Sequence, residues 1–264
     1  MTSIINCYKK VFENKKAHIW IFLFALIWAF TSSLYDVKFS TIDTYKDNPI
    51  DMLLGFLVFI YGIQFLHNAI HNVNNGVLPN IKKIHSEIAW GVFKLSIIWG
   101  TYAVISVLLA FIAYVFTHKL IIPIIIITLI LILSISVQYI FITFAESFDT
   151  KNLWKLTYLF KIIKQTYKPL YINFCLFLLS TLVAMAVYVT IYILAGLTGI
   201  DKIGYITNNF YFIDIIMNTI ATYFIIITWY FAFPYSLIPS YKEFIRPVLN
   251  IQNTDNLEKG NNNG

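Results

Sequence analysis

Four polar residues have the types and spacing that could carry a solute or a proton. Asp214, Asn218 and Thr222 recur every four residues, so a helix would present all three on one face. An ionisable group within an apolar segment costs ~2 to 3 kcal/mol and usually faces protein or water. Together with Gln138, this stripe is the candidate intramembrane polar path. The alternative is that Asp214 lies near the membrane surface and only fixes its helix there.

A second pair of residues has the spacing of metal ligands. His67 and His71 stand four apart, on one face of a helix, and could bind one metal ion. Two ligands do not make a site, and no acidic residue or further histidine follows at the spacing of a metal motif. We therefore predict hydrogen bonds to lipid headgroups for this pair, and no metal or cofactor.

Catalytic signatures are absent from the sequence. It contains no Walker A loop, no GxSxG, no HExxH and no GxGxxG. Its two cysteines, Cys7 and Cys175, form no CxxC motif. We therefore predict that the protein is not an enzyme and has no catalytic residue.

The composition indicates which solvent surrounds the chain. Of its 264 residues, 59% are hydrophobic and 12% are charged, whereas soluble domains carry about 25% charged residues. The apolar residues form long blocks between short charged segments, which is typical of membrane spans. The net charge of +6 comes from lysine with a single arginine, Arg246, and no RNA-binding motif accompanies it. A nucleic-acid partner is therefore not expected.

The apolar blocks predict an all-α polytopic integral membrane protein. It has six transmembrane helices in three hairpins, plus cytoplasmic interfacial helices. The segment 1–18 is amphipathic, residues 19–240 form the transmembrane domain, and 241–264 form a cytoplasmic polar tail. The first span is short enough to be a signal peptide, and we favour an uncleaved anchor. Approximate spans are 19–34, 49–70, 88–116, 120–145, 169–197 and 210–238.

The segment 149–168 is predicted to be a separate interfacial helix. Leu153, Leu156, Phe160, Ile163 and Tyr167 share one face of the helix. A basic helix of this kind lies on a membrane and contacts anionic phospholipid, here at the inner leaflet. A solvated linker helix is the alternative, and Pro169 is expected to begin the next span. Lysines occupy the rest of the arc: Lys151, Lys155, Lys161, Lys164 and Lys168.

The distribution of basic residues predicts the orientation. With the N-terminus in the cytoplasm, the inner segments hold all the basic residues except Lys38, Lys46, Lys119 and Lys202. That division gives fifteen inside and four outside of the nineteen in the chain, as the positive-inside rule requires. We therefore predict a multi-pass protein of the inner (plasma) membrane with both termini in the cytoplasm.

Three stretches resemble a family of prokaryotic polytopic membrane proteins that is defined by a domain of unknown function. The stretches are GFLVFIYGIQFLHNAIHNVNNGVLPNI with the following AWGVFKLSIIWGTY, then FITFAESFDTKNLWKLTYLFKIIKQTYKPLYINF, and YFAFPYSLIPSYKE. The resemblance covers roughly 50–243 and implies a six-helix fold without implying a reaction. The function expected is a non-enzymatic scaffold or envelope-maintenance role. The alternative is a small-solute or ion transporter, or its membrane subunit, and a homo-oligomer or membrane complex is left open.

Overall fold

The computed structural model describes most of the chain. The described residues are 4–13, 15–39, 49–71, 86–117, 124, 138–150, 156–198, 205–207 and 210–249. Nearly all of them are helical. The first six helices are α1 (Ile4–Phe12), α2 (Lys15–Phe39), α3 (Pro49–Ile70), α4 (Ser86–Thr117), α5 (138–147) and α6 (Leu156–Thr198).

The C-terminal part begins with a small hairpin and continues as one long helical segment. Strands β1 (Tyr205–Thr207) and β2 (Phe210–Tyr211) pair antiparallel. The segment that follows, Phe212–Leu249, is called the C-terminal rod below. It consists of α7 (Phe212–Ile225), a π-helix (Ile226–Ala232), α8 (Phe233–Ser240), a second π-helix (Tyr241–Ile245) and a 3-10 turn (Arg246–Leu249).

A proline explains the first of the two wide π-helical turns in the rod. Pro234 has no N–H, and in an α-helix its ring would collide with the carbonyl of Tyr230, four residues earlier. Tyr230 lies in the first π-helix, which ends just before α8, and α8 carries Pro234 in its first turn. A wider turn relieves this collision without ending the helix, so the rod remains continuous.

Among the described residues, three helical stretches are long and apolar enough to cross a membrane. They are Pro49–Ile70, Lys164–Leu194 and Asp214–Ile245, and Ala17–Ser32 is a shorter apolar helix. The predicted helical fold is therefore confirmed, with the β1–β2 hairpin as an exception. Helix bounds also agree closely: α3 begins at Pro49 and ends at Ile70 as predicted, and α4 extends the predicted third span by two residues at its start and one at its end. Most of the predicted fourth span lies outside the described residues.

The prediction that a separate interfacial helix ends before Pro169 was wrong. Helix α6 continues through Pro169 without a break, from Leu156 to Thr198. Its buried residues Ile162, Thr166 and Leu170 lie on one stripe that passes the proline. Packing on both sides of Pro169 holds one helix together, as membrane helices allow when neighbours support the proline. The predicted lipid-facing Tyr167 lies on another face of α6 and is exposed.

The predicted polar tail begins too early. Tyr241 and Ile245 are buried in the core, and Arg246 follows them in the 3-10 turn. A lysine, a glutamate and an arginine made this stretch look like a tail, but its apolar residues face the bundle. The tail from 250 onward lies outside the described residues.

The amphipathic N-terminal segment also packs on protein. In α1, Cys7 and Val11 are fully buried, while Ile5 and Phe12 are exposed. Only part of its apolar surface is therefore open to a membrane. Burial raises the pKa of the Cys7 thiol to about 11, so this cysteine stays protonated at neutral pH and is a poor nucleophile or metal ligand.

Glycines on α3 and α4 allow neighbouring helices to approach closely. A Cβ atom added at Gly62 would lie 3.1 Å from the backbone oxygen of Tyr230. A Cβ atom at Gly91 would lie 1.9 Å from Cζ of Phe144, which is fully buried in α5. These contacts fix α3 against the rod and α4 against α5, because small residues let membrane helices pack backbone to side chain.

We expect Gly91→Ala to destabilise the bundle. The added methyl group must displace the Phe144 ring, and overpacking of this kind costs about 1 to 3 kcal/mol. Thermal unfolding in detergent should therefore show a Tm lowered by several degrees. Gly100→Ala, in the same helix, is the matched control, because nothing lies within 4 Å of its Cβ position. Equal Tm values for the two variants would contradict the α4–α5 packing.

Candidate functional site

A buried ion pair joins the ends of two helices. Nε of Arg246 lies 2.7 Å from Oε1 of Glu146, and their side chains are 13% and 2% exposed. The Tyr241 hydroxyl donates a hydrogen bond to the other carboxylate oxygen, Oε2. Glu146 lies in the last turn of α5, and Arg246 and Tyr241 belong to the rod. The ion pair therefore holds the C-terminal ends of α5 and the rod together.

Three further side chains bind backbone carbonyls at the same place. His67 Nδ1 lies 2.7 Å from the Ala145 oxygen, and His71 Nε2 lies 3.1 Å from the Glu146 oxygen. Nζ of Lys242 donates to the oxygen of Ile70, the last residue of α3, at 2.8 Å. The last carbonyls of a helix lack donors within it, and basic side chains satisfy them well. The end cluster, as named here, is Glu146, Arg246, Tyr241, Lys242, His67 and His71.

The two histidines were predicted to bind lipid headgroups, but their described hydrogen bonds are to backbone carbonyls. A carbonyl oxygen only accepts, so His67 Nδ1 and His71 Nε2 must each carry a proton and donate it. Phe148 stacks on the His67 ring with centroids 4.6 Å apart. It is the first residue after α5 and has a φ of 53°. The pair was correctly placed on one helix face, but it caps α5. Within the described ranges, no group of three or more His, Cys, Asp or Glu could hold a metal ion.

The chemistry of the end cluster is that of a structural connection. Glu146 forms an ion pair with a guanidinium and accepts a hydrogen bond from a phenol, so its negative charge is balanced inside the bundle. Charge-assisted contacts of this kind are strong where water is excluded, but removing one partner leaves an uncompensated charge. The cluster thus fixes three helix ends relative to one another.

A cavity of about 890 Å³ lies between α3, α4, α5 and the rod. Its walls are largely apolar, and six of the lining residues are aromatic. Two polar side chains, Ser96 and Gln138, also line it, and Ser96 Oγ donates to the Val92 oxygen at 2.9 Å. Gln138, a member of the predicted polar path, therefore lies at an apolar cavity. The aromatic lining residues are Phe56, Phe59, Phe93, Phe141, Trp229 and Tyr230.

The other members of the predicted path lie elsewhere. Asn218 and Thr222 line a smaller groove of about 350 Å³ between α2 and α7. The Tyr188 hydroxyl donates to Oδ1 of Asn218 at 3.1 Å. Asp214 is half-buried in the first turn of α7, where the helix dipole stabilises a negative charge. The structure therefore brings Asn218 and Thr222 together but separates them from Gln138, and Asp214 does not line either cavity.

The predicted lipid-contacting lysines are described only in part. Lys164 and Lys168 are exposed on α6. The Lys161 side chain, and Lys151 and Lys155 entirely, lie outside the described residues. Two exposed cations on one long helix agree with contact to lipid headgroups, which stays a prediction.

Sequence reasoning missed the residues that tie the helices together. Glu146 falls just outside the predicted fourth span, and Arg246 was assigned to the polar tail. Their signal was present in the sequence, since Arg246 is the only arginine and Glu146 ends an apolar block. A partly buried hydrogen-bond network at Tyr8 was also missed. Its hydroxyl lies 2.9 Å from Oγ1 of Thr228 and 3.3 Å from Oγ of Ser180, which connects α1 to the rod and α6.

We expect Arg246→Met to unfold the bundle more readily than a double change does. The single variant leaves the Glu146 carboxylate buried without its cation, at a cost of about 3 to 5 kcal/mol. Combining Arg246→Met with Glu146→Gln removes both charges and should restore much of the Tm in detergent. Lys10→Met is the control, because Lys10 pairs with Glu13 at an exposed site and such pairs contribute about 0 to 1 kcal/mol. A double variant as unstable as the single one would contradict the ion pair's role.

Comparisons of the chain with family models, with curated proteins and with solved structures found no match. The resemblance to prokaryotic polytopic membrane proteins therefore stays a prediction.

Proposed function

We propose that this chain is a multi-pass protein of the inner (plasma) membrane that acts as a non-enzymatic scaffold or envelope-maintenance factor. The observation that carries this proposal is the use of its buried polar groups. The Tyr139 hydroxyl lies 2.6 Å from Oγ of Ser240, and Nδ2 of Asn173 donates to the Ser236 oxygen at 3.3 Å. These bonds, like those of the end cluster, join one helix to another. Polar groups used in this way stabilise a membrane bundle.

The order of the helices supports six spans. The C-terminal ends of α3, α5 and the rod meet at the end cluster. The chain reaches α5 from α3 through α4, and it reaches the rod from α5 through α6. Each intervening helix therefore leads away from the end cluster, and the next one returns. With α2 before α3, this order is the one expected of three antiparallel hairpins.

Helix lengths and surfaces support the same arrangement. At about 1.5 Å per residue, the 32 residues of α4 extend about 48 Å and the 43 residues of α6 about 64 Å. Both exceed the ~30 Å thickness of the hydrocarbon core. The outer half of α4 exposes Val104, Val107 and Phe111, and that of α6 exposes Leu182 and Val183. Such surfaces suit contact with lipid chains.

The orientation in this proposal comes from charge. The end cluster holds Arg246, Lys242 and two histidines, and exposed Lys164 and Lys168 lie in the N-terminal half of α6, which packs against the same part of the rod. The positive-inside rule favours the cytoplasm for this end. Exposed lysines there would also attract the anionic phospholipid of the inner leaflet.

A small-solute or ion transporter is the second candidate. The groove between α2 and α7 contains Asn218 and Thr222, and Ser32 lines it from the side of α2. Ser32 Oγ also donates to Oδ2 of Asp51 at 2.9 Å. The oxygen atoms of these side chains could coordinate a small ion, which favours this alternative over an enzyme.

Proton flux in proteoliposomes tests the two candidates against each other. Under a potassium diffusion potential, the scaffold proposal expects the wild type and Asp214→Asn to acidify no faster than empty vesicles, because Asn218 and Thr222 line a different cavity from Gln138 in the described part of the chain. Asp149→Asn is the matched control, since Asp149 is exposed just after α5 and does not line the groove between α2 and α7. Rapid flux that is lost in Asp214→Asn and kept in Asp149→Asn would establish transport and overturn the scaffold proposal.

A further inference from the structure

The large cavity has walls suited to an apolar ligand. Its aromatic side chains come from four separate helical elements, and Phe59 packs edge-on against Phe141 with centroids 4.6 Å apart. Its volume, about 890 Å³, falls within the ~300 to 1,000 Å³ of pockets that bind small organic molecules. A space of this size with apolar walls gains little from being filled by water.

The mouth of the cavity is also apolar. Met52 and Leu53 on α3 and Phe93 on α4 line the cavity and are 68%, 58% and 48% exposed. In a chain with α3 across a bilayer, these residues would border on lipid rather than on water. The molecules nearest the opening would then be lipid chains.

One wall of the cavity is held rigid by backbone packing. Gly62 lies against the Tyr230 carbonyl, and the π-helix before Pro234 brings Trp229 and Tyr230 to the cavity. Close backbone contact of this kind resists the collapse that would otherwise remove an empty space. The cavity is therefore a persistent feature of the packing between α3 and the rod.

We infer that this cavity binds one long apolar chain of a membrane lipid, which enters between α3 and α4. Gln138 supplies an amide that can donate to an oxygen of that lipid, such as an ester or ring carbonyl. An acyl chain and an isoprenoid chain share this chemistry. The inference rests on the proposed membrane function and adds a ligand class to it.

Native mass spectrometry of protein purified from membranes tests the inference. The wild type should retain one lipid through detergent exchange. Ser96→Phe places a ring in the cavity and should lower the retained fraction about tenfold, equivalent to ~1.4 kcal/mol of binding. Thr101→Phe is the matched control, because Thr101 is also a hydroxyl residue on α4 that bonds the carbonyl four residues earlier. It should retain lipid as the wild type does.

The species retained decides the outcome. A phospholipid or an isoprenoid mass supports the inference and identifies the source of the chain. Detergent alone, or equal retention in Ser96→Phe and Thr101→Phe, would overturn it. If Ser96→Phe does not fold, Leu53→Trp blocks the mouth from α3 and is judged by the same two results. The proton-flux measurement does not depend on this cavity, so the scaffold proposal can fail or stand separately.

Discussion

The apolar surface of α4 and α6 is the constraint on which the rest of the structure depends. Around most of its circumference, the outer half of α6 exposes leucine, isoleucine and valine side chains. In water each such side chain would cost about 1.5 to 3 kcal/mol relative to burial. In lipid the cost disappears, and the helix needs only to bond its own backbone groups, which it does. A long helix such as α6 can therefore expose apolar side chains to lipid at little cost.

That solvent also explains the arrangement of polar groups. A bundle in lipid gains little from apolar contact between helices, so hydrogen bonds and close packing must hold it together. Three kinds of contact hold this bundle together at different levels. They are the Glu146–Arg246 ion pair, the Tyr8 network and the close contacts at Gly62 and Gly91. Water is scarce at these sites, which makes a complete set of partners valuable and an incomplete one costly. Polar residues that look reactive in a sequence can thus be structural in the fold.

The sequence predicted the helices better than the contacts between them. The extent of the apolar blocks located both ends of α3 and α4 to within two residues. It failed at Pro169 and at Tyr241, where local rules for helix breaks and polar tails gave way to packing between helices. His67 and His71 were correctly paired, but their partner carbonyls lie more than seventy residues away along the chain. No local spacing rule can identify such a partner.

Collision accessibility of spin labels tests most directly whether lipid surrounds the exposed helices. Nitroxides at Val107 and Val183 in reconstituted vesicles should collide readily with oxygen and rarely with a water-soluble nickel complex. A label at Lys164 should show the opposite preference, since that side chain is exposed and charged. Frequent collisions of the nickel complex with both Val107 and Val183 would mean that water surrounds these helices and would contradict the account.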